Sequence, residues 1–131
     1  VALSPREVDV FKPYSDEFPY ELFAQLGLSE SRYELCVAAD FVRVAKLASE
    51  VIGAYALQAE TAGRYTLYAV VVASSQRKQG LGRWLVGHAI GISESKGGRV
   101  VYLPHLTQSR FFSRIGFVKD GAGQRYDLVP E

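Results

Sequence analysis

Ser74-Ser75-Gln76-Arg77-Lys78-Gln79-Gly80-Leu81-Gly82-Arg83 lies between an apolar, β-branched run, Leu67 to Ala73, and a segment of helical period marked by Leu81, Leu85, Ala89 and Ile92. The pattern predicts a strand feeding a glycine-containing basic loop that opens a helix. Unpaired backbone N–H groups, the helix dipole and positive side chains then meet at one point, an arrangement suited to a phosphate or pyrophosphate group. Two other phosphate loops are excluded by spacing. A P-loop ends in Gly-Lys-Ser/Thr, whereas Gly82 is followed by Arg83 and Trp84. A dinucleotide fingerprint needs a third glycine three residues after the second, where Leu85 stands.

Outward from this loop the elements follow in order. Glu7 to Phe11 alternates as a short strand. Asp16 and Pro19 carry helix-start chemistry, with Leu22, Phe23 and Leu26 on one face and Gly27 as the stop. A second short helix is expected from Ser29 to about Asp40. Phe41 to Lys46 and Val51 to Gln58 read as a hairpin across Leu47-Ala48-Ser49-Glu50. Gly63 marks the next turn, and Arg64 to Ala73 is the central strand. Beyond the loop, a helix from about Leu81 to Lys96 is closed by Gly97-Gly98. Val100 to Leu103 is a buried strand, Pro104 to Leu106 a break, and Thr107 to Ile115 a short helix. Phe117 to Asp120 and Tyr126 to Val129 pair across Gly121-Ala122-Gly123. The order β-α-α-β-β-β-α-β-α-β-β predicts an α+β fold, with a mixed central sheet of about six to seven strands flanked by about four helices. The strand–helix–strand passage over 64–103 predicts a parallel crossover.

Composition narrows the function. The chain of 131 residues is 48% apolar and 22% charged, which suits a single globular domain over residues 1–131. With a net charge of +1, from 15 basic and 14 acidic side chains, no basic excess argues for nucleic acid, which is not expected as a partner, and no acidic excess argues for a basic protein partner. A lone cysteine, Cys36, excludes an internal disulfide and a structural zinc site; no metal is expected, and the compartment is expected to be reducing, hence cytoplasmic. The longest apolar stretch is too short to span a bilayer, and no signal peptide is visible. Methionine is absent, so the start is expected to be trimmed or processed.

Arg77-x-x-Gly80-x-Gly82 resembles the pyrophosphate loop of the GNAT acyl-CoA N-acetyltransferases. One helix and one strand later, Phe111-Phe112-Ser113-Arg114-Ile115-Gly116-Phe117 looks like the aromatic-aromatic-x-x-hydrophobic-Gly-Phe segment of the same family. The likeness covers the whole chain in element order and is specific over about residues 66 to 117. In style it is nearest to the N-acetylglutamate-synthase-like and arsenic-resistance members. The resemblance implies that two parallel strands splay apart and that acetyl-CoA, the acyl donor, enters the resulting V. It assigns the pyrophosphate to Arg77, Lys78, Gln79, Gly80, Leu81, Gly82 and Arg83. It assigns the pantetheine arm to the backbone of Val70, Val71 and Val72, one of whose N–H groups acts as an oxyanion donor worth about 3 kcal/mol. His105 stands where the family often has an Asn, and an imidazole can hold the same arm or act as a base near its ordinary pKa of about 6.5. Some relatives place a Glu on the central strand, where this chain has Thr66; Tyr68, on the same face, can relay a proton through water. Phe112 replaces the Tyr that often protonates the departing thiolate, and a thiol of pKa about 8.5 leaves tolerably without it.

Plain alternatives stand beside these roles. Three valines also make an ordinary buried strand, Lys78 and Arg83 can be solvated, Tyr68 can be a strand aromatic, and His105 a loop residue. His88 is expected on a helix face and Cys36 in the core. The implied function is direct acetyl transfer to the primary amine of a small molecule, an amino acid or analogue, by a monomer or homodimer. A non-catalytic acyl-CoA-binding regulatory module and a protein N-acetyltransferase remain open. Acceptor choice is expected to lie in the first 40 residues and the 51–58 hairpin.

Overall fold

The computed structural model describes residues 8–77, 79–104 and 108–128. Seven strands, β1 (Val8–Phe11), β2 (Phe41–Leu47), β3 (Glu50–Ala59), β4 (Arg64–Val72), β5 (Val100–Leu103), β6 (Val118–Asp120) and β7 (Gly123–Asp127), form one sheet in the order β1-β2-β3-β4-β5-β7-β6. Only β4 and β5 run parallel; the other pairs are antiparallel. The helices are α1 (Tyr20–Ala24), α2 (Glu30–Val37), α3 (Leu81–Ser95) and α4 (Ser109–Ile115). The mixed sheet and α+β class are those the sequence predicts.

The sheet is buried on both faces. Under α1 and α2, Leu22, Phe23 and Cys36 pack on Val42, Val44, Ala54, Ala56, Ala69 and Val71. On the other side Leu81, Leu85, Val86, Ala89 and Ile90 of α3 pack on Tyr55, Leu57, Leu67 and Val101. The small Ala row on the first face lets two short helices sit close. The helical period of α3 supplies the stripe for the second.

Two irregularities shape β4. Ala56 pairs with Ala69 but Leu57 pairs with Leu67, so Tyr68 is an extra residue, a β-bulge. Tyr68 and Ala69 both belong to the α1/α2 side, while Leu67 and Val70 belong to the α3 side. The second irregularity is the seam. Parallel pairing covers only Arg64, Thr66 and the residue between them, against Val100 to Tyr102. From Leu67 onward β4 keeps β3 as its partner, whereas Leu103 of β5 pairs with Gln124 of β7. The two parallel strands therefore part.

Three local expectations change. The first helix does not run from Asp16: a 3-10 turn at Ser15–Glu17 is followed by extended Phe18 (ψ 131°), and α1 starts only after Pro19. Proline disfavours helical geometry in the residue before it, so the segment splits there. The last hairpin turns on Gly121 and Ala122 alone, because Asp120 pairs directly with Gly123. Gly123 is a strand residue, and a Cβ on it would clash with the Leu103 carbonyl oxygen. Finally, α2 ends at Val37, short of Asp40. No helix of the described residues is long and apolar enough to cross a membrane.

Candidate active site

The parting of β4 and β5 opens a cleft of about 1040 Å³. Its floor is Leu67 to Val72, its rim on one side the α1–α2 connection from Gln25 to Ser29, and on the other Leu103, Pro104, Gln108, Phe111 and Phe112. The mouth is the loop between β4 and α3, through Gln76, Arg77, Gly80, Leu81, Gly82 and Arg83. Tyr68, Val70, Val71, Val72, Arg77, Gly80, Leu81, Gly82, Arg83 and Phe112, dispersed in sequence, thus line one space. Gln79 is not a lining residue; it donates to Gln76 Oε1 at 3.3 Å. Lys78 and His105 lie outside the described residues.

The loop geometry follows from its residues. Gly80 is the N-cap of α3, in the left-handed region at φ 82°, and supplies no capping side chain. The first bond into the helix is Trp84 N–H to the Gly80 carbonyl at 3.2 Å. The N–H groups of Leu81, Gly82 and Arg83 therefore lack intrahelical acceptors and carry the positive end of the dipole. Gly82 has a different duty, since a Cβ there would stand 3.3 Å from Phe111 Cζ. Arg77 folds back, donating from Nε to the Val72 carbonyl at 3.2 Å, which ties the loop to the end of β4. The charged side chains among the described lining residues are Arg32, Arg77 and Arg83, and none is acidic. Such a lining fits a long anionic ligand with phosphates at the helix start and a thin arm along an unpaired strand edge. Along that edge alternate backbone groups of β4 point into the cleft, because β3 takes only the other half.

The remaining candidates separate clearly. Phe112 is half-buried, edge-on to Phe111 (5.0 Å, 80°) and Phe117 (5.4 Å, 72°). Burial, and then the charge of Glu60, raise the Tyr68 pKa, so its hydroxyl is a proton donor at neutral pH. Cys36 is fully buried and its thiol is pushed up to about 11 by that burial, which makes it inert. His88 lies off the cleft, where its Nδ1 meets the buried Tyr55 hydroxyl at 2.6 Å. Burial and Arg43 lower its pKa. His88 is the helix-face residue expected, and its face is turned to β3, so the contact ties α3 to the sheet. The first 40 residues, where acceptor choice was expected, supply the Gln25–Ser29 rim; the sequence did not single that rim out, its one signal being Gly27, which sits at φ 66°.

An α+β domain with one short parallel seam, a splayed strand pair and an uncapped helix at the mouth of the splay defines a class of group-transfer fold. The sequence pattern of the Acetyltransferase (GNAT) family matches residues 5–117, and the chain belongs to that family. Among solved structures, it is similar to an IAA acetyltransferase from Bacillus cereus (18% identity, 92% of this chain and 99% of that one, TM-score 0.77). A GNAT family acetyltransferase from Elizabethkingia anophelis with acetyl-CoA bound is equally near (16%, 93% and 99%, TM-score 0.78). N-acetylglutamate synthase from Neisseria gonorrhoeae shares the fold over 34% of its own chain and 90% of this one (14%, TM-score 0.74). A search of curated protein sequences finds no match.

Proposed function

We propose that the protein transfers acetyl from acetyl-CoA to the primary amine of a small molecule. The observation that carries this reading is the uncapped start of α3, with Gly80 left-handed, at the mouth of a cleft whose floor is an unpaired strand edge. The N–H groups of residues 81–83 would hold the pyrophosphate, and the β4 edge around Val70 to Val72 would hold the pantetheine arm. When bound, acetyl-CoA supplies an acetyl thioester. An ammonium acceptor first gives one proton to solvent; the neutral amine nitrogen then forms the amide bond as the carbon–sulfur bond breaks, and the second proton lost from nitrogen balances the thiolate. A β4 N–H aimed into the cleft donates to the carbonyl oxygen as charge develops there, and positioning supplies much of the rate. Buried Cys36 has no part in this chemistry, which supports direct transfer in a ternary complex.

Calorimetric titration with acetyl-CoA, followed by thiol release in the presence of primary amines, tests the reading. Binding in the micromolar range and acetylated product are expected. Binding without turnover on any amine identifies a regulatory module, and acetylation only of protein lysines or chain termini identifies a protein acetyltransferase; either overturns the small-molecule reading.

A further inference from the structure

An amine reaches an acetyltransferase as a cation, yet no carboxylate stands among the described residues lining the cleft. The β3–β4 turn carries one, Glu60, outside that lining. Gln58 of β3, Thr66 of β4, Tyr102 of β5 and Arg125 of β7 are successive register partners, so they form one polar row on the face that carries α1 and α2. Those helices pack on β3 and β4; along the row Gln58, Tyr102 and Arg125 are partly exposed and Thr66 is buried, which makes a half-exposed shelf beside the cleft. On this shelf the buried Thr66 hydroxyl donates to the Glu60 carboxylate. Arg64 Nε lies 3.8 Å from the same carboxylate and 3.4 Å from Thr66 Oγ1. The Arg64 guanidinium carbon sits 4.2 Å from the centre of the Tyr102 ring, which fixes its plane.

The position matters as much as the charges. Thr66 is the last β4 residue paired with β5, and the next residue, Leu67, begins the cleft lining. Tyr68, on the Thr66 face, lines the cleft and feels the Glu60 charge. An anion and a cation are thus held side by side at the closed end of the splay. With side-chain exposures of 35% for Glu60 and 46% for Arg64, the pair contributes little to folding and opens easily to admit a ligand.

We infer that the shelf is the acceptor subsite, with Glu60 taking an ammonium group and Arg64 a carboxylate, so that the acceptor is a zwitterionic amine of the amino-acid class. This rests on the acetyl-transfer reading above. A polycationic acceptor meets Arg64 as a like charge, and a simple monoamine leaves Arg64 unused.

The test pairs each common L-amino acid with its decarboxylated amine and follows thiol release from acetyl-CoA. An amino acid should be used at least about tenfold better, in kcat/KM, than its decarboxylated partner. Arg64→Gln should bring that preference to near unity. Glu60→Gln should lower kcat/KM for both members of the pair by at least about tenfold, with Glu60→Asp recovering part of the loss. Thr66→Val, which frees Glu60 without changing side-chain volume, should fall between. Calorimetry keeps structural damage apart: acetyl-CoA affinity should stay within about twofold in every variant, while acceptor affinity for the CoA complex weakens in step with kcat/KM. Equal use of amino acid and amine, unchanged kinetics in Glu60→Gln, or parallel loss of acetyl-CoA binding overturns the assignment. If acetyl-CoA binds but neither amino acids nor amines are acetylated, the shelf assignment falls while the cofactor site stands; if acetyl-CoA does not bind, the underlying transfer reading falls.

Discussion

Gly80 and Gly82 stand two residues apart and are glycine for unlike reasons. At position 80 the backbone is left-handed, and an added Cβ meets no atom within 4 Å, so a side chain is opposed by conformation and not by crowding. Alanine there should cost about 1 kcal/mol through the left-handed geometry alone. Gly80→Asp adds a carboxylate beside the free N–H groups and competes with phosphate. Calorimetry should show acetyl-CoA affinity reduced by at least about tenfold, about 1.4 kcal/mol, with the fold intact; unchanged affinity would remove the loop from the cofactor site. Phe112 allows a second single-residue test. Its half-buried ring lines the cleft, and Phe112→Tyr adds one hydroxyl at little volume cost. Acetyl-CoA affinity should stay within about twofold, while the rate profile acquires an alkaline limb near the phenol pKa of about 10. A profile unaltered at every pH would place residue 112 away from the leaving sulfur.

At the scale of elements, α3 is fastened to the sheet by packing and by a partly buried polar contact, His88 to Tyr55. Because burial lowers the His88 pKa, the folded protein takes up a proton there less readily than the unfolded chain. Protons taken up by the unfolded chain then pull the equilibrium toward unfolding. Stability is full above the unfolded value of about 6.5 and declines as pH falls below it. Urea midpoints at about pH 7.5 and about pH 5.5 should converge in His88→Asn, which keeps an acceptor for the tyrosine and removes the titration. Equal pH sensitivity in both proteins would exclude the histidine as the cause. The order of the seven strands and four α-helices was legible in the sequence because strand alternation and the α3 stripe are strong. The bulge at Tyr68 was not, since β4 beyond Thr66 presents apolar or aromatic residues on both faces and a shift in its period there leaves no charged residue out of place. Pro19 was read as helix chemistry, and the restraint it imposes on Phe18 was overlooked. The cleft loop could be read because its residues are contiguous. The Glu60–Thr66 contact could not, because only the turn at Thr61–Gly63 brings those two side chains together.

Across the whole molecule, the sheet is two antiparallel blocks, β1 to β4 and β5 to β7, joined along three parallel residue pairs and by α3. The cleft exists because that junction is short. The same shortness dictates the order of assembly. Successive strands from β2 to β4 meet across tight turns, so their contacts form with little loss of chain entropy. The seam must bring Arg64 to Val100, and loop closure over that separation has to precede its contacts. The meander should therefore nucleate folding and the seam should close after the rate-limiting barrier. Val44→Ala, in the core of the first block, should slow refolding, whereas Val101→Ala, buried in the seam, should leave refolding nearly unchanged and accelerate unfolding. Stopped-flow denaturant series on the two variants separate these limbs, and a seam variant that slows refolding as much as Val44→Ala would reverse the order. The strand gap proposed for the ligand should thus also be a kinetic boundary, where the native chain comes apart first.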